Sequence, residues 1–342
     1  MALSMGITVS EGFPGQQMEG FGLSSTTEVQ QSMGFQQCHP DDGRLTHFRL
    51  FEYDVKDMYF RISVPAALEA VEACLRLARE RLGRQWVAIS RFHRHEDRMG
   101  TGSERLYRNY RLAALLEFVK FELQGNHYAR VGYIGYEQLH GVPMGGEASA
   151  QIAAAYCLIR DIRTRVSSQC AGFTFFRFRD NLPGILDSRR TDVATIGNFF
   201  TEVYDLPMKL EATGCELTTL EMRVVLVADE LGYFMKPQYY DVLKQGFLDK
   251  SYKMPAVWSP NRRIFLQSVI PAHLLKCVQY ASSTICQNIG LVNCVFGYIY
   301  AGLPWQDVLY RLIRYAVYHR LPKHLCRMLE LLLQRHSDYF PP

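Results

Sequence analysis

Apolar positions along this chain fall into two periods, and the switches between them divide it into elements. Residues 66–82 combine Ala, Leu and Arg behind Pro65, which suits a first helical turn, so a helix is expected there. Residues 84–89 alternate as a short strand, and 94–104 read as a charged Gly/Ser loop. Residues 111–123 are amphipathic again and stop at Gly125 and Asn126, natural C-terminal residues. Residues 128–138 alternate around Gly132 and Gly135 like a hairpin. A long helix is predicted over 148–166 and an aromatic strand over 171–178. Another helix is predicted over 191–204, with Val193, Ile196, Phe199 or Phe200, and Val203 on one face. Segments 220–227 and 233–236 read as a further strand pair. From Ile270 onward the pattern is helical, broken at 302–304 and at Leu321 and Pro322. Strands and helices mix without strict β-α alternation, then give way to helices alone. The class this predicts is α+β, a sheet with helices on one face, followed by an all-α end.

The N-terminal stretch follows neither period. Gly6, Gly12, Gly15, Gly20, Gly22 and Gly34 stand among Ser, Thr and Gln, so residues 1–44 are expected to be a disordered arm, with order beginning near Leu45. The chain has 342 residues, enough for one large or two medium domains, and its net charge of +4 is only mildly basic. Distribution says more than the total. Between Tyr310 and His336 stand Arg311, Arg314, Arg320, Lys323, Arg327 and Arg335 against one acid, Glu330. Such a helical end could track a phosphate backbone, or be an ordinary solvated face. Nine cysteines are scattered with no C-x-x-C pair, which argues against a disulfide framework or zinc ribbon and for a reducing, intracellular compartment, nuclear or cytoplasmic. The run from His93 to Asp97 has metal-binding residue types, but its spacing matches a polar loop better. There is no signal peptide and no apolar run of about 18 residues, so no membrane partner is expected.

Three segments carry candidate chemistry. The first, residues 51–60, is an apolar strand ending in Asp54, followed by Asp57 and Tyr59. A carboxylate at a strand end is costly to bury without a metal or partner; solvated acids at a strand-to-turn junction are the alternative. The second, residues 138–149, holds Gly141, Pro143, Met144, Gly145, Gly146 and Ser149 ahead of a helix. Its glycines allow a ligand close to the backbone, and a helix N-terminus favours anions, although a plain Gly-rich helix start reads the same way. The third, residues 175–181, is a strand in which alternation sets Phe176, Phe178 and Asp180 on one face and Arg177 and Arg179 on the other. Asp180 and Asn181 read as its hairpin turn.

In this order the three segments resemble the palm of reverse transcriptases, closest in flavour to Penelope-like and other eukaryotic retroelement enzymes. The resemblance runs from about residue 50 to about 312. It implies a right-hand polymerase palm with an all-α thumb, and RNA-directed DNA polymerisation. Such nucleotidyl transfer needs two cations clamping the attacking and leaving oxygens, here two Mg²⁺ or Mn²⁺ ions. By resemblance Asp54, the Val55 carbonyl and Asp180 hold them, with Asn181 at the second hairpin position. Asp57 would lie near the incoming triphosphate and sugar, and Tyr59 under the sugar as its gate. Gly141, Met144, Gly145 and Ser149 would hold template and nucleotide. Segment 204–211 resembles the fourth palm motif, where Lys209 would act as general acid toward pyrophosphate. Segments 220–224 and 234–236 resemble a primer-gripping hairpin, and 300–304 the entry to the thumb. The implied partners are an RNA template, a DNA primer and deoxynucleoside triphosphates.

Two departures bear on activity. Asn181 stands where the family has a second acid, keeping an oxygen but losing the charge. Only 49 residues precede Leu50, with two cations, Arg44 and Arg49, where the family has about a hundred residues of basic fingers. The expected organisation is therefore an arm over 1–44, a palm over 45–240 with a partial fingers insertion at about 66–130, and a thumb or connector over 241–342. The rival expectation is a non-catalytic nucleic-acid-binding protein derived from a reverse transcriptase.

Overall fold

The computed structural model describes residues 47–91, 97–125, 128–143, 146, 148–164, 172–227, 230–244, 246–248, 265–320, 326 and 330. The expected arm therefore lies outside the described residues. Two compact units divide the chain: Phe51–Ala212 is one, and the residues from Thr213 onward, with those just before Phe51, make the other.

The first unit is built on a four-stranded sheet with strand order β7-β8-β1-β9, where β1 is Phe48–Val55, β7 Phe173–Phe175, β8 Asn181–Asp187 and β9 Met208–Gly214. Its core is an aromatic cluster. Phe51 and Tyr53 of β1 and Phe173 and Phe175 of β7 meet Phe199 and Phe200 of the helix Val193–Tyr204, with Phe175 and Phe200 4.7 Å apart. Edge-to-face pairs of this kind add to the burial of large side chains. That helix starts where Asp192 accepts from the Thr195 N–H, as a side-chain cap should. Helices Val64–Leu82 and Ser149–Thr164 pack on each other and share the same core. The first begins behind Ser63 with Pro65 in its opening turn and ends at Gly83 in the left-handed region.

Several expectations are sharpened. Residues 94–104 are not simply a loop: Arg98–Met99 (β3) pairs with Trp86–Ser90 (β2), which also pairs with Tyr107–Arg111 (β4). Two residues are too few to show a period, which is why β3 is invisible in the sequence. The helix Leu112–Gly125 includes the glycine expected to end it. The hairpin of Tyr128–Val131 (β5) and Ile134–Glu137 (β6) forms as expected. The aromatic strand is shorter than predicted; β8 is the return strand its hairpin implied, with bounds the sequence had not given, and β9 had not been anticipated.

The second unit opens with an antiparallel meander of Glu216–Thr219 (β10), Met222–Val227 (β11) and Glu230–Met235 (β12). The helices Ile270–Gln279, Thr284–Tyr300 and Trp305–Tyr318 follow and bury a second core around Leu274, Leu291, Phe296 and Leu312. An α+β sheet region followed by a helical end is therefore the observed class.

Candidate functional site

The carboxylate site begins at the end of β1. Asp54 is half-buried between buried Tyr53 and Val55. The Val55 N–H donates to the Asp180 carbonyl at 2.9 Å, tying the β1 end to the hairpin that leads into β8. On the other flank the Lys56 N–H donates to the Pro207 carbonyl at 3.0 Å, one residue before β9 starts. The strand order therefore sets Asp54 between the Asp180 hairpin and the first residues of β9. Burial raises the Asp54 pKa above the ordinary carboxylate range, the Asp180 and Glu211 carboxylates raise it further, and Lys209 opposes them.

The hairpin itself is not the turn the sequence suggests. Phe178 and Asn181 form the closing bridge, with hydrogen bonds of 2.8 and 3.0 Å between their backbones, so Arg179 and Asp180 are the two central residues. Arg179 has φ of +58°, a left-handed position where a two-residue hairpin ordinarily has glycine. Asn181 is the first residue of β8, and its side-chain amide donates to Asp180 Oδ1 at 3.0 Å. Its nitrogen thus faces the carboxylate it was expected to supplement, and holds that carboxylate's direction.

Alternation does set Arg177 opposite Phe176, yet both sides of this strand end are covered. Arg177 is buried and pairs with the equally buried Asp161 of the helix Ser149–Thr164 at 2.7 Å. The Tyr204 hydroxyl donates to the other Asp161 oxygen at 2.6 Å, and Arg177 also donates to the Arg179 carbonyl at 3.3 Å. These residues brace the hairpin from behind. Sequence reasoning missed them because a buried charge pair leaves no periodic signal.

Asp57 and Tyr59 lie beside this edge. Asp57 is exposed, with φ of +53°, and turns the chain into a short helix at Met58–Arg61. Tyr59 is half-buried; burial raises its pKa, the Asp180 charge adds to this and Arg179 counteracts it. The second motif is seated on the first: the Val142 N–H donates to the Tyr59 carbonyl at 2.7 Å. Gly141 has φ of +86°, and a Cβ there would sit 2.6 Å from the Phe60 Cα, so the position demands glycine twice over. Ser149 is buried, and its hydroxyl donates to the Pro143 carbonyl within the loop. Met144 and Gly145 lie outside the described residues.

Lys209 extends from β9, largely exposed, with Nζ 2.7 Å from Glu211 Oε1. Glu211, not anticipated, is a third acid acting on Asp54. Its signal was available, since Lys209 and Glu211 stand two apart on one strand and share a face. Among the described residues no cluster of three or more His, Cys, Asp and Glu has the arrangement of a metal site. Asp54 and Asp180 nevertheless fit a hard divalent cation: both offer carboxylate oxygens, and their repulsion is what a cation relieves.

The expected primer-gripping segments do pair, with Met222 opposite Met235 and Arg223 opposite Phe234. Arg223 is buried and bridges Glu216 and Asp241, so its charge is spent inside the unit. Arg311 and Arg314 lie over the Tyr310 ring of the last described helix. Lys323, Arg327 and Arg335 lie outside the described residues. Among the described residues no helix is long and apolar enough to cross a membrane.

No protein-family model matches the sequence, and no curated protein does. Solved structures do match. Telomerase from Candida albicans, in complex with a TWJ fragment of telomeric RNA, aligns at a TM-score of 0.51 and 11% identity, over 87% of this chain and 48% of that one. Telomerase from Candida tropicalis, also with a TWJ fragment, gives 0.47 at 11% identity over 93% and 44%. The RNA-dependent RNA polymerase of a human picobirnavirus gives 0.39 at 13% identity over 80% and 46%. The chain spans about half the length of these proteins. At such identities a likeness speaks to the fold alone. The fold is a reverse-transcriptase-like polymerase palm and thumb.

Proposed function

We propose that this chain is an RNA-directed DNA polymerase domain of a retroelement, of the Penelope-like type, that joins nucleotides by two-metal transfer. The observation that carries the reading is the convergence of separate motifs at one end of the sheet, where β1 stops. The β1 end meets the Asp180 hairpin through the Val55 N–H, and Asp180 and Glu211 raise the Asp54 pKa. In this reading Asp54, Asp180 and the Val55 carbonyl hold Mg²⁺ or Mn²⁺, which would stabilise the charge of the transferring phosphoryl group. Tyr59 gates the sugar, Asp57 lies near the triphosphate, and Lys209 protonates the pyrophosphate. Gly141 fixes the second motif against Tyr59, with Met144, Gly145 and Ser149 in the loop that meets template and nucleotide. The palm covers 45–240 with a fingers insertion at 66–130, and the thumb covers 241–342. The partners are an RNA template, a DNA primer and deoxynucleoside triphosphates in the nucleus or cytoplasm; the RNA bound in the Candida albicans telomerase structure supports an RNA partner.

A second reading is a non-catalytic nucleic-acid-binding protein on the same scaffold. The Asn181 amide facing Asp180 favours it, because one charge of the hairpin is lost. Primer extension on an RNA template with Mg²⁺ or Mn²⁺ separates the two. Extension lost in Asp54→Asn supports the enzyme. Template binding with no extension under either metal supports the platform.

A further inference from the structure

The second unit gathers sulfur atoms that the carboxylate site does not use. Cys277 is fully buried on the helix Ile270–Gln279, and its Sγ lies 3.4 Å from the Sδ of Met235, the last residue of β12. The same thiol reaches the Gly290 carbonyl at 3.3 Å and the Cys294 side chain, both on the helix Thr284–Tyr300. Gly290 lets the two helices come this close, since a Cβ there would stand 3.6 Å from the Cys277 Cβ. Cys294 follows one turn later on the same face. One strand and two helices thus bring three sulfurs together.

A buried Cys or Met is by itself an ordinary core residue. This trio differs in having an opening and a spare donor. Met235 and Cys294 line a small cleft together with Lys236, His273, Asn293 and Tyr298. Asn293 is 2% exposed; its Oδ1 accepts from the Val242 N–H, and its Nδ2 has no partner among the described residues. An unused N–H costs free energy in a core, and a thiolate accepts what a neutral thiol accepts only weakly.

The donor set selects the ion. Zinc takes four nitrogen, sulfur or oxygen ligands. No third His, Cys, Asp or Glu joins the two cysteines among the described residues, and the Tyr298 hydroxyl engages His273 Nδ1. Thiolate and thioether sulfurs suit copper(I). We infer that Met235, Cys277 and Cys294 form a copper(I) site of two thiolates and one thioether. Binding releases the two thiol protons to solvent, changes no oxidation state and leaves one net negative charge. The Asn293 N–H and the Lys236 cation on the cleft wall offset that charge. The ion ties the end of β12 to both helices.

The probe is copper(I) itself, added anaerobically as its acetonitrile complex, with ascorbate, to the full chain. Iodoacetamide labelling mapped peptide by peptide needs no variant. About one equivalent of copper(I) should slow Cys294 labelling roughly tenfold or more, because a metal-bound thiolate is no longer a free nucleophile. Exposed Cys215, outside the trio, should label as before. Zinc at the same level should not protect Cys294. Competition with bathocuproine disulfonate gives the affinity. Met235→Leu keeps the volume and removes the thioether, so affinity should fall roughly tenfold, and Cys294→Ser should lower it roughly a hundredfold. Melting curves of the metal-free variants check that they fold. None of these readouts depends on polymerisation, so this site and the polymerase reading fail separately. Cys294 labelling that copper(I) leaves unchanged, equal protection by zinc, or wild-type copper(I) affinity in both variants would overturn the assignment.

Discussion

A single side chain, Asp54, carries a stability cost that the proposed cation would relieve. Its folded pKa is raised by burial and then by Asp180 and Glu211. A raised acid contributes stability that is present below the ordinary carboxylate pKa of about 3.9 and is lost as pH rises through the folded value. At neutral pH the ionised side chain is therefore a cost to the metal-free protein. Asp54→Asn is expected to raise the metal-free Tm by roughly 1–3 °C at pH 7 and to narrow that gain as pH falls toward 4. The same substitution should abolish stabilisation by Mg²⁺, which in the wild type grows with pH as the cation displaces the proton. A metal-free Tm that falls on substitution would show that Asp54 is paired rather than crowded. Asn181→Asp makes the converse case. It replaces an amide donor to Asp180 with a second charge, so the metal-free Tm should drop while Mn²⁺ affinity and primer extension increase. Unchanged cation affinity and extension would place the limiting defect elsewhere.

Elements whose own residues set their period were legible in the sequence, and those defined by partners were not. The helices Val64–Leu82 and Val193–Tyr204 announce themselves through side-chain caps and apolar positions, and Ser149–Thr164 through its composition after the glycine pair. The strands β8 and β9 carry Pro183, Gly184 and a run of mixed polarity, and only their neighbours make them strands. Gly184 is needed because a Cβ there would run into the Phe51 ring of β1, a contact no local pattern reports. The site divides the same way. Asp54, Asp180 and Gly141 were singled out through the resemblance of three ordered motifs, whereas Asp161, Arg177 and Tyr204 meet across 16 to 43 residues of sequence separation. Their pairing makes a prediction at this scale. Arg177→Met leaves Asp161 buried and uncompensated, at a cost of about 3–5 kcal/mol. Adding Asp161→Leu should recover most of that stability in denaturant melts, since an apolar pair of similar volume replaces the ions. The double variant still lacks the Arg177 bond to the Arg179 carbonyl, so extension should remain low in kcat with KM little changed. Full recovery of extension along with stability would show that the network only stabilises the core.

For the molecule as a whole, charge distribution matters more than the net charge of +4. The last described helix, Trp305–Tyr318, buries Val308, Leu312 and Tyr315 and leaves Arg314 and Tyr318 exposed, with Arg320 just beyond it. Arg311 and Arg314 flank the Tyr310 ring, and among the described residues neither has a carboxylate at ion-pair distance. Cations held in this way remain available to phosphates, and binding through them releases counterions whatever the sequence bound. The chain is therefore expected to bind an RNA–DNA primer–template duplex without sequence preference and with a steep salt dependence. Changing Arg311, Arg314, Arg320 and Lys323 to Gln should weaken binding about equally for unrelated duplexes and reduce the log–log salt slope by roughly one unit per contact removed. This outcome does not depend on catalysis, because the enzyme and the binding platform both require a grip on the duplex. Equal salt slopes for wild type and variant would assign this face to ordinary solvated surface and move the search for the duplex grip to other basic positions of the chain.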